Sequence, residues 1–124
     1  MLVRLGFADA DPSLAEALDR WELSLFQHDP FSSGQVRASL AALLGDTWPL
    51  RAAVLLEDDP PTRRSLHTDL AALAAGTNAT PAAVDAARRA LIEGLRHHDR
   101  AGLIRDLDDE LLGLHERRSA RLAV

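Results

Sequence analysis

Cysteine, lysine and tyrosine are all absent from this chain of 124 residues. Without cysteine, disulfide bonds and thiolate metal ligands are excluded. Without lysine, all fourteen basic side chains are arginines, which we attribute to codon bias in a GC-rich bacterial genome. No apolar run approaches the roughly 18 residues of a membrane span, and the first residues do not resemble a secretory leader. We therefore expect a cytoplasmic protein that does not enter a membrane.

The remaining composition is typical of one globular domain. Hydrophobic residues make up 47% of the chain and charged residues 27%, which is enough apolar material for a folded core. The length predicts a single domain over residues 1–124. The net charge is −5, whereas nucleic-acid-binding domains are usually basic. The acidic excess lies in residues 1–59 while 60–124 is nearly neutral, so a local basic face stays possible.

Helix signals recur along the chain. Leu14, Leu18, Trp21 and Leu25 follow an Asp11-Pro12-Ser13 start at helical spacing, and Pro30 predicts an end near His28. The stretch Glu57-Asp58-Asp59-Pro60-Pro61 predicts a break in the chain. Starts of further helices are predicted by Ser32 or Ser33, Asp46-Thr47, Thr62, Thr80 and Asp99.

These signals predict an all-α, single-domain bundle of five or six helices with a long C-terminal helix. The apolar phase slips over residues 97–102, which favours a break there. The pattern leaves open whether residues 81–122 form two helices or one bent helix. The predicted core consists of Leu14, Leu18, Trp21, Leu25, Val36, Leu40, Leu43, Leu66, Leu70, Leu73, Val84, Leu91 and Leu95.

The C-terminal stripe predicts the function that we favour. This apolar stripe runs from Ile104 to Leu122 and extends over about 27 Å of helix. A domain of this length has a radius of gyration of only about 14 Å. An overhanging leucine stripe needs a second chain. We expect a small, non-catalytic interaction or regulatory protein without a cofactor, acting through homodimerisation or partner binding. The predicted interface comprises Ile104, Leu107, Leu111, Leu114, Arg118 and Leu122.

DNA binding is the first alternative. Residues 66–95 combine a helix, a turn that contains Gly76, and a second helix that begins at Thr80. This layout resembles the helix-turn-helix of bacterial repressors. The resemblance implies a transcriptional regulator in which Arg88 and Arg89 contact phosphates.

A helical metal-dependent enzyme is the second alternative. Asp106, Asp108, Asp109 and Glu110 lie close together, and helical carboxylates of this kind resemble those that bind Mg²⁺ in all-α nucleotide pyrophosphatases. The same run is also typical of the solvated face of an amphipathic helix, so cation binding at 106–110 stays open. Glu93 and His97 share a helix face, but no Glu-x-x-His motif accompanies them. We assign neither a catalytic residue nor a metal ligand.

Overall fold

The computed structural model describes residues 11–97 and 99–113, and these residues form six α-helices and no strand. The prediction of an all-helical domain is therefore confirmed. The helices are α1 (Pro12–Ser24), α2 (Phe31–Leu44), α3 (Trp48–Leu56), α4 (Pro60–Ala74), α5 (Pro81–Arg96) and α6 (Arg100–Leu111).

Side-chain caps explain where several helices begin. The Asp11 carboxylate accepts from the first backbone N–H groups of α1, and the Thr80 hydroxyl accepts from the N–H of Ala83 at 3.1 Å. The predicted start of α4 at Thr62 was too late, because Asp59 is the cap and accepts from the Thr62 N–H at 3.1 Å. The two intervening prolines fit the first turn because that turn needs no N–H donors from them.

The first two helices have different bounds from those predicted. Helix α1 ends at Ser24 instead of near His28, because the N–H groups of Leu25 and Phe26 bond to carbonyls three residues back and tighten the last turn. Helix α2 already begins at Phe31, ahead of the predicted serine caps.

The break predicted near residues 97–102 is confirmed, since α5 ends at Arg96 and α6 begins at Arg100. The last helix has 12 residues and ends at Leu111, and Gly113 follows it with a φ of +79°. The long C-terminal helix predicted to run through to Leu122 is therefore interrupted after Leu111, and residues 114–122 lie outside the described residues.

The core differs from the predicted one on α5. Nine of the predicted residues are buried, Trp21 and Val84 are half-buried, and Leu25 and Leu95 are wrong because both are exposed. The buried face of α5 consists of small residues with Leu91, namely Ala83, Ala86, Ala87, Ala90, Leu91 and Gly94. Small side chains bring α5 close to its neighbours, so the bulkier residues flank the contact.

Close packing at the end of α5 shows how tightly the helices approach. A Cβ atom added to Gly94 would lie 2.8 Å from a methyl group of Leu43 on α2. Among the buried residues outside the predicted list, Trp48, Leu103 and Leu107 extend the same core to α3 and α6.

Arginine side chains bond the carbonyl groups at the ends of other helices. Arg37 Nε donates to the carbonyl of Leu73 in the last turn of α4 at 2.6 Å. Arg100 Nε donates to the carbonyl of Leu43 in the last turn of α2 at 2.8 Å, and Arg63 bonds carbonyls at the end of α3. These bonds give a side-chain donor to carbonyl groups at helix ends, where the regular intrahelical donors run out.

Arg51 makes the most elaborate of these contacts. Its Nη1 atom donates to the carbonyl of Leu44, while Nε and Nη2 each lie 2.9 Å from a carboxylate oxygen of Asp108. The planar guanidinium thereby joins the end of α2 to α6 through a forked pair that a lysine could not reproduce.

In the described part of the chain, no single helix is both long and apolar enough to cross a membrane. Helices α2 and α3 meet that criterion only as a pair, and they are bent by 78° at the break between them.

Candidate interaction surface

The turn between α1 and α2 is held by hydrogen bonds from its polar side chains. Ser24 Oγ donates to the carbonyl of Trp21 at 2.6 Å, and Ser32 Oγ donates to the carbonyl of Ser24 at 2.9 Å. The carboxylate of Asp29 accepts from both the N–H and the hydroxyl of Ser33. Because these bonds fix the backbone, the turn does not depend on burying its apolar side chains.

Large apolar side chains in and beside this turn are exposed to solvent. The exposed fractions are 60% for Leu25, 85% for Phe26 and 70% for Phe31. Two of the three phenylalanines in the chain are therefore exposed here. Complete burial of one such side chain contributes roughly 1.5–3 kcal/mol, so a partner that covered the turn would gain substantially.

A groove of 460 Å³ adjoins the turn, between the end of α1 and the start of α5. Leu25 belongs to both features. The rest of the groove is apolar apart from one carboxylate and one guanidinium, and its lining residues are Trp21, Leu25, Ala79, Pro81, Val84, Asp85 and Arg88. We call the groove and the adjoining turn the apolar end of the bundle.

Two contacts from α2 position the loop that borders the groove. Ser33 Oγ accepts a hydrogen bond from the N–H of Ala79 at 2.7 Å. Arg37 Nη2 donates to the carbonyl of Thr77 at 3.3 Å. The loop is thus attached to the first two turns of α2, and Pro81 follows as the first residue of α5. The groove wall therefore depends on polar contacts as well as on apolar packing.

Asp85 lies between two arginines on α5. Its carboxylate oxygens are 2.9 Å from Arg88 Nη2 and 3.1 Å from Arg89 Nε. The hydrogen bond from Arg88, helped by both guanidinium charges, lowers the pKa of Asp85 below its ordinary value. Arg89 also lies 3.2 Å from a carboxylate oxygen of Glu57. The two arginines predicted to contact DNA phosphates are therefore both paired with carboxylates of the same chain.

The structure places the predicted dimer residues in different surroundings. Leu107 is only 5% exposed and belongs to the core of its own chain, and Leu111 packs partly against that core. Ile104 is half-buried, whereas Leu112, which follows the helix, is 74% exposed. The predicted interface residues Leu114, Arg118 and Leu122 lie outside the described residues.

Two of the four acidic residues at 106–110 participate in ion pairs. Asp108 pairs with Arg51, and Glu110 lies 3.9 Å from Arg63. Glu93, which shares a face with His97, pairs with Arg96 at 3.0 Å. Within residues 11–97 and 99–113, no three histidine, aspartate or glutamate side chains come together as a metal site would require.

A second groove of 290 Å³ lies between α3 and α5. Leu55, Leu56 and Ile92 form its apolar part, and Arg89, Glu93 and Arg96 form its charged part. Half of its lining residues are charged, and these are paired with one another or with Glu57. This groove therefore offers a ligand fewer apolar contacts than the apolar end does.

No protein-family model, curated protein or solved structure matches this chain significantly. The candidate surface therefore rests on the geometry of the chain itself. Sequence reasoning missed it by assigning Leu25 to the core. The available signal was the position of Phe26 and Phe31 on either side of a turn that contains His28, Asp29 and Pro30.

Proposed function

We propose that this chain is a small, non-catalytic interaction protein that acts as a homodimer. The observation that carries the proposal is the apolar end of the bundle, where Leu25, Phe26 and Phe31 are exposed beside an apolar groove. Extended exposed apolar patches are typical of binding surfaces, and exposed aromatic residues are enriched at protein interfaces.

Residues 104–122 supply a second part of the proposed interface. In the described portion of this segment the strongest contributor is Leu112, because its side chain is exposed while Leu107 serves the core. We propose that Leu114 and Leu122 continue the apolar surface, with Arg118 at its edge.

The ion pairs on α5 support this function over DNA binding. Arg88 and Arg89 would have to exchange Asp85 and Glu57 for phosphate groups. Phosphate binding by these arginines would gain less free energy than binding by an unpaired arginine, because their charge-assisted hydrogen bonds to Asp85 and Glu57 would first have to break.

Light scattering at micromolar concentration tests the proposal. The single chain has a mass of 13.5 kDa, and we expect the wild type to have twice that mass. The double variant Leu112→Asp, Leu114→Asp should have the mass of one chain while keeping its helical circular dichroism.

Leu50→Asp is the matched control, because Leu50 is an exposed leucine on α3 that is not among the residues of the proposed interface. This variant should stay dimeric. A wild-type protein with the mass of one chain would contradict the homodimer, and unfolding of the double variant would show that its leucines serve the core.

A further inference from the structure

We propose that the apolar end of one copy packs against the apolar end of a second copy across a two-fold axis, with Phe26 of each copy filling the groove of the other. This inference rests on the proposed homodimer and specifies the contact that builds it. The groove and Phe26 lie side by side, because Leu25 lines the groove and Phe26 follows it in the turn. One two-fold contact therefore fills both grooves and covers both Phe26 side chains.

The position of Phe26 and the groove on the same end of the bundle favours a closed pair. If the projecting side chain and the groove that receives it lay on opposite ends, each copy could bind a further one and open chains would grow. Because the two features are adjacent, one patch serves both copies, as an isologous interface requires. Hydrogen bonds from Ser24, Ser32 and Asp29 already fix the turn, so little entropy is lost when Phe26 is bound.

The exposed apolar area is of the size that a dimer contact needs. An aromatic side chain buries roughly 150–250 Å². With exposed fractions of 85% and 70%, Phe26 and Phe31 together offer roughly 230–390 Å². A standard interface buries about 800 Å² on each partner, so these two side chains supply roughly a third to a half of it. Leu25 and the apolar lining of the groove add to this area.

The charged residues of the groove lining suit a second copy better than a charged ligand. They are Asp85 and Arg88, which lie 2.9 Å apart and are each about half exposed. Their opposite charges cancel, so the lining favours neither a basic nor an acidic segment. A two-fold axis between the α5 helices, at right angles to them, would bring Asp85 of each copy to Arg88 of the other. The same two side chains would then complement themselves.

Residues 1–10 of the same chain are the competing occupant, since they contain Leu2, Val3, Leu5 and Phe7. A segment that covered the groove would account for the apolar lining alone. A second copy accounts for the lining and for the exposed phenylalanines beside it, using residues that the structure describes.

A charge exchange in the groove lining tests the two-fold contact with full-length chains. Asp85→Arg leaves two cationic side chains in the lining, and Arg88→Asp leaves two anionic ones, while Arg89 can keep its pair with Glu57 in both variants. Each variant alone should dimerise roughly tenfold more weakly than the wild type, because like charges meet across the axis. An equimolar mixture should regain the wild-type affinity, because each chain then meets its opposite. Analytical ultracentrifugation measures the dissociation constants.

Glu93 and Arg96 provide the matched control, because they form an ion pair of the same spacing farther along α5. Glu93→Arg and Arg96→Asp should dimerise like the wild type, both alone and mixed. In about 1 M salt, where the Debye length is about 3 Å, the Asp85 and Arg88 variants should recover most of their affinity. A loss that persists in this salt, or that mixing does not restore, would overturn the two-fold contact.

Phe26→Glu tests the apolar half of the contact. The side chain is 85% exposed and lies in a turn, so this variant should keep a helical circular dichroism spectrum while its mass falls from two chains to one. Leu50→Glu should remain dimeric.

The remaining outcomes identify what fails. A dimer that survives Phe26→Glu refutes this contact and leaves the proposed homodimer intact, with residues 104–122 as its interface. Loss of the dimer in Phe7→Glu but not in Phe26→Glu also refutes it and assigns the groove to residues 1–10. A wild-type protein with the mass of one chain refutes the proposed homodimer itself, and this inference with it.

Discussion

Helix α2 carries two buried serines whose replacement by alanine removes the same atom but leaves different groups behind. Ser33 Oγ accepts from the N–H of Ala79 at 2.7 Å and donates to Asp29. Ser39 Oγ donates to the carbonyl of Ala17 at 2.7 Å. Both serines are almost completely excluded from solvent, so the surrounding solvent cannot explain any difference between the two variants.

The expected costs follow from the partners. Ser33→Ala leaves the Ala79 N–H without its acceptor in a half-buried loop, and an unsatisfied buried donor costs about 1–3 kcal/mol. Ser39→Ala leaves a carbonyl that still accepts its ordinary bond within α1, so its cost should be about 1 kcal/mol or less. Alanine favours the helix slightly over serine at both positions, and this gain cancels in the comparison.

Urea unfolding followed by circular dichroism measures the difference. Ser33→Ala should be less stable than Ser39→Ala by about 1 kcal/mol or more, which corresponds to a difference in melting temperature of about 4 °C. The dependence of unfolding on urea should be the same for both variants, since neither exposes new surface. If Ser39→Ala proved as destabilising as Ser33→Ala, the proposed role of the Ser33–Ala79 bond in holding the groove wall would be refuted.

Other substitutions test packing and charge. Gly94→Ala should destabilise by about 1–3 kcal/mol because its Cβ would collide with a buried leucine methyl group of α2, whereas Gly34→Ala, whose Cβ meets only ordinary contact, should stabilise by about 0.5–1 kcal/mol in thermal melts. Trp48→Ala should cost about 3–5 kcal/mol, and Trp21→Ala should cost less because that ring is only half-buried; equal costs would contradict the core described above. The pKa of Asp85, followed by NMR, should lie below its ordinary 3.8. Its stabilising contribution should be complete above that value and lost as the pH falls through the lowered pKa.

The sequence predicted the helical class and most helix starts because those signals are local. The start of α5 is marked by Thr80 and Pro81, which lie within four residues of the backbone N–H that Thr80 caps. The phase slip near Gly102 marks the boundary of α6. Such features depend on capping and periodicity alone, so no knowledge of the tertiary packing was needed to find them.

The errors arose where tertiary contact decides. Periodicity placed Leu95 in the core by size, but α5 approaches its neighbours along alanines and Gly94. Leu25 fits the stripe of α1 by spacing, yet the helix has already ended at Ser24. Leu25 therefore lies outside the core and belongs to the candidate surface.

The arginine contacts could not be predicted either, because their partners lie far away in sequence. Arg37 bonds a carbonyl 36 positions away, and Arg51 pairs with a carboxylate 57 positions away. A composition rich in arginine says nothing about which carbonyl or carboxylate each side chain reaches.

These contacts have a consequence for how the domain opens. A helix end normally frays by itself, in a local event that hardly concerns the rest of the protein. Here the end of α4 is bonded by Arg37 of α2, and the end of α2 is bonded by Arg100 of α6. Fraying of either end therefore requires a hydrogen bond from a side chain of another helix to break. Amide hydrogens in these last turns should exchange through the same cooperative opening as the core, so that the helices behave as one unit of unfolding.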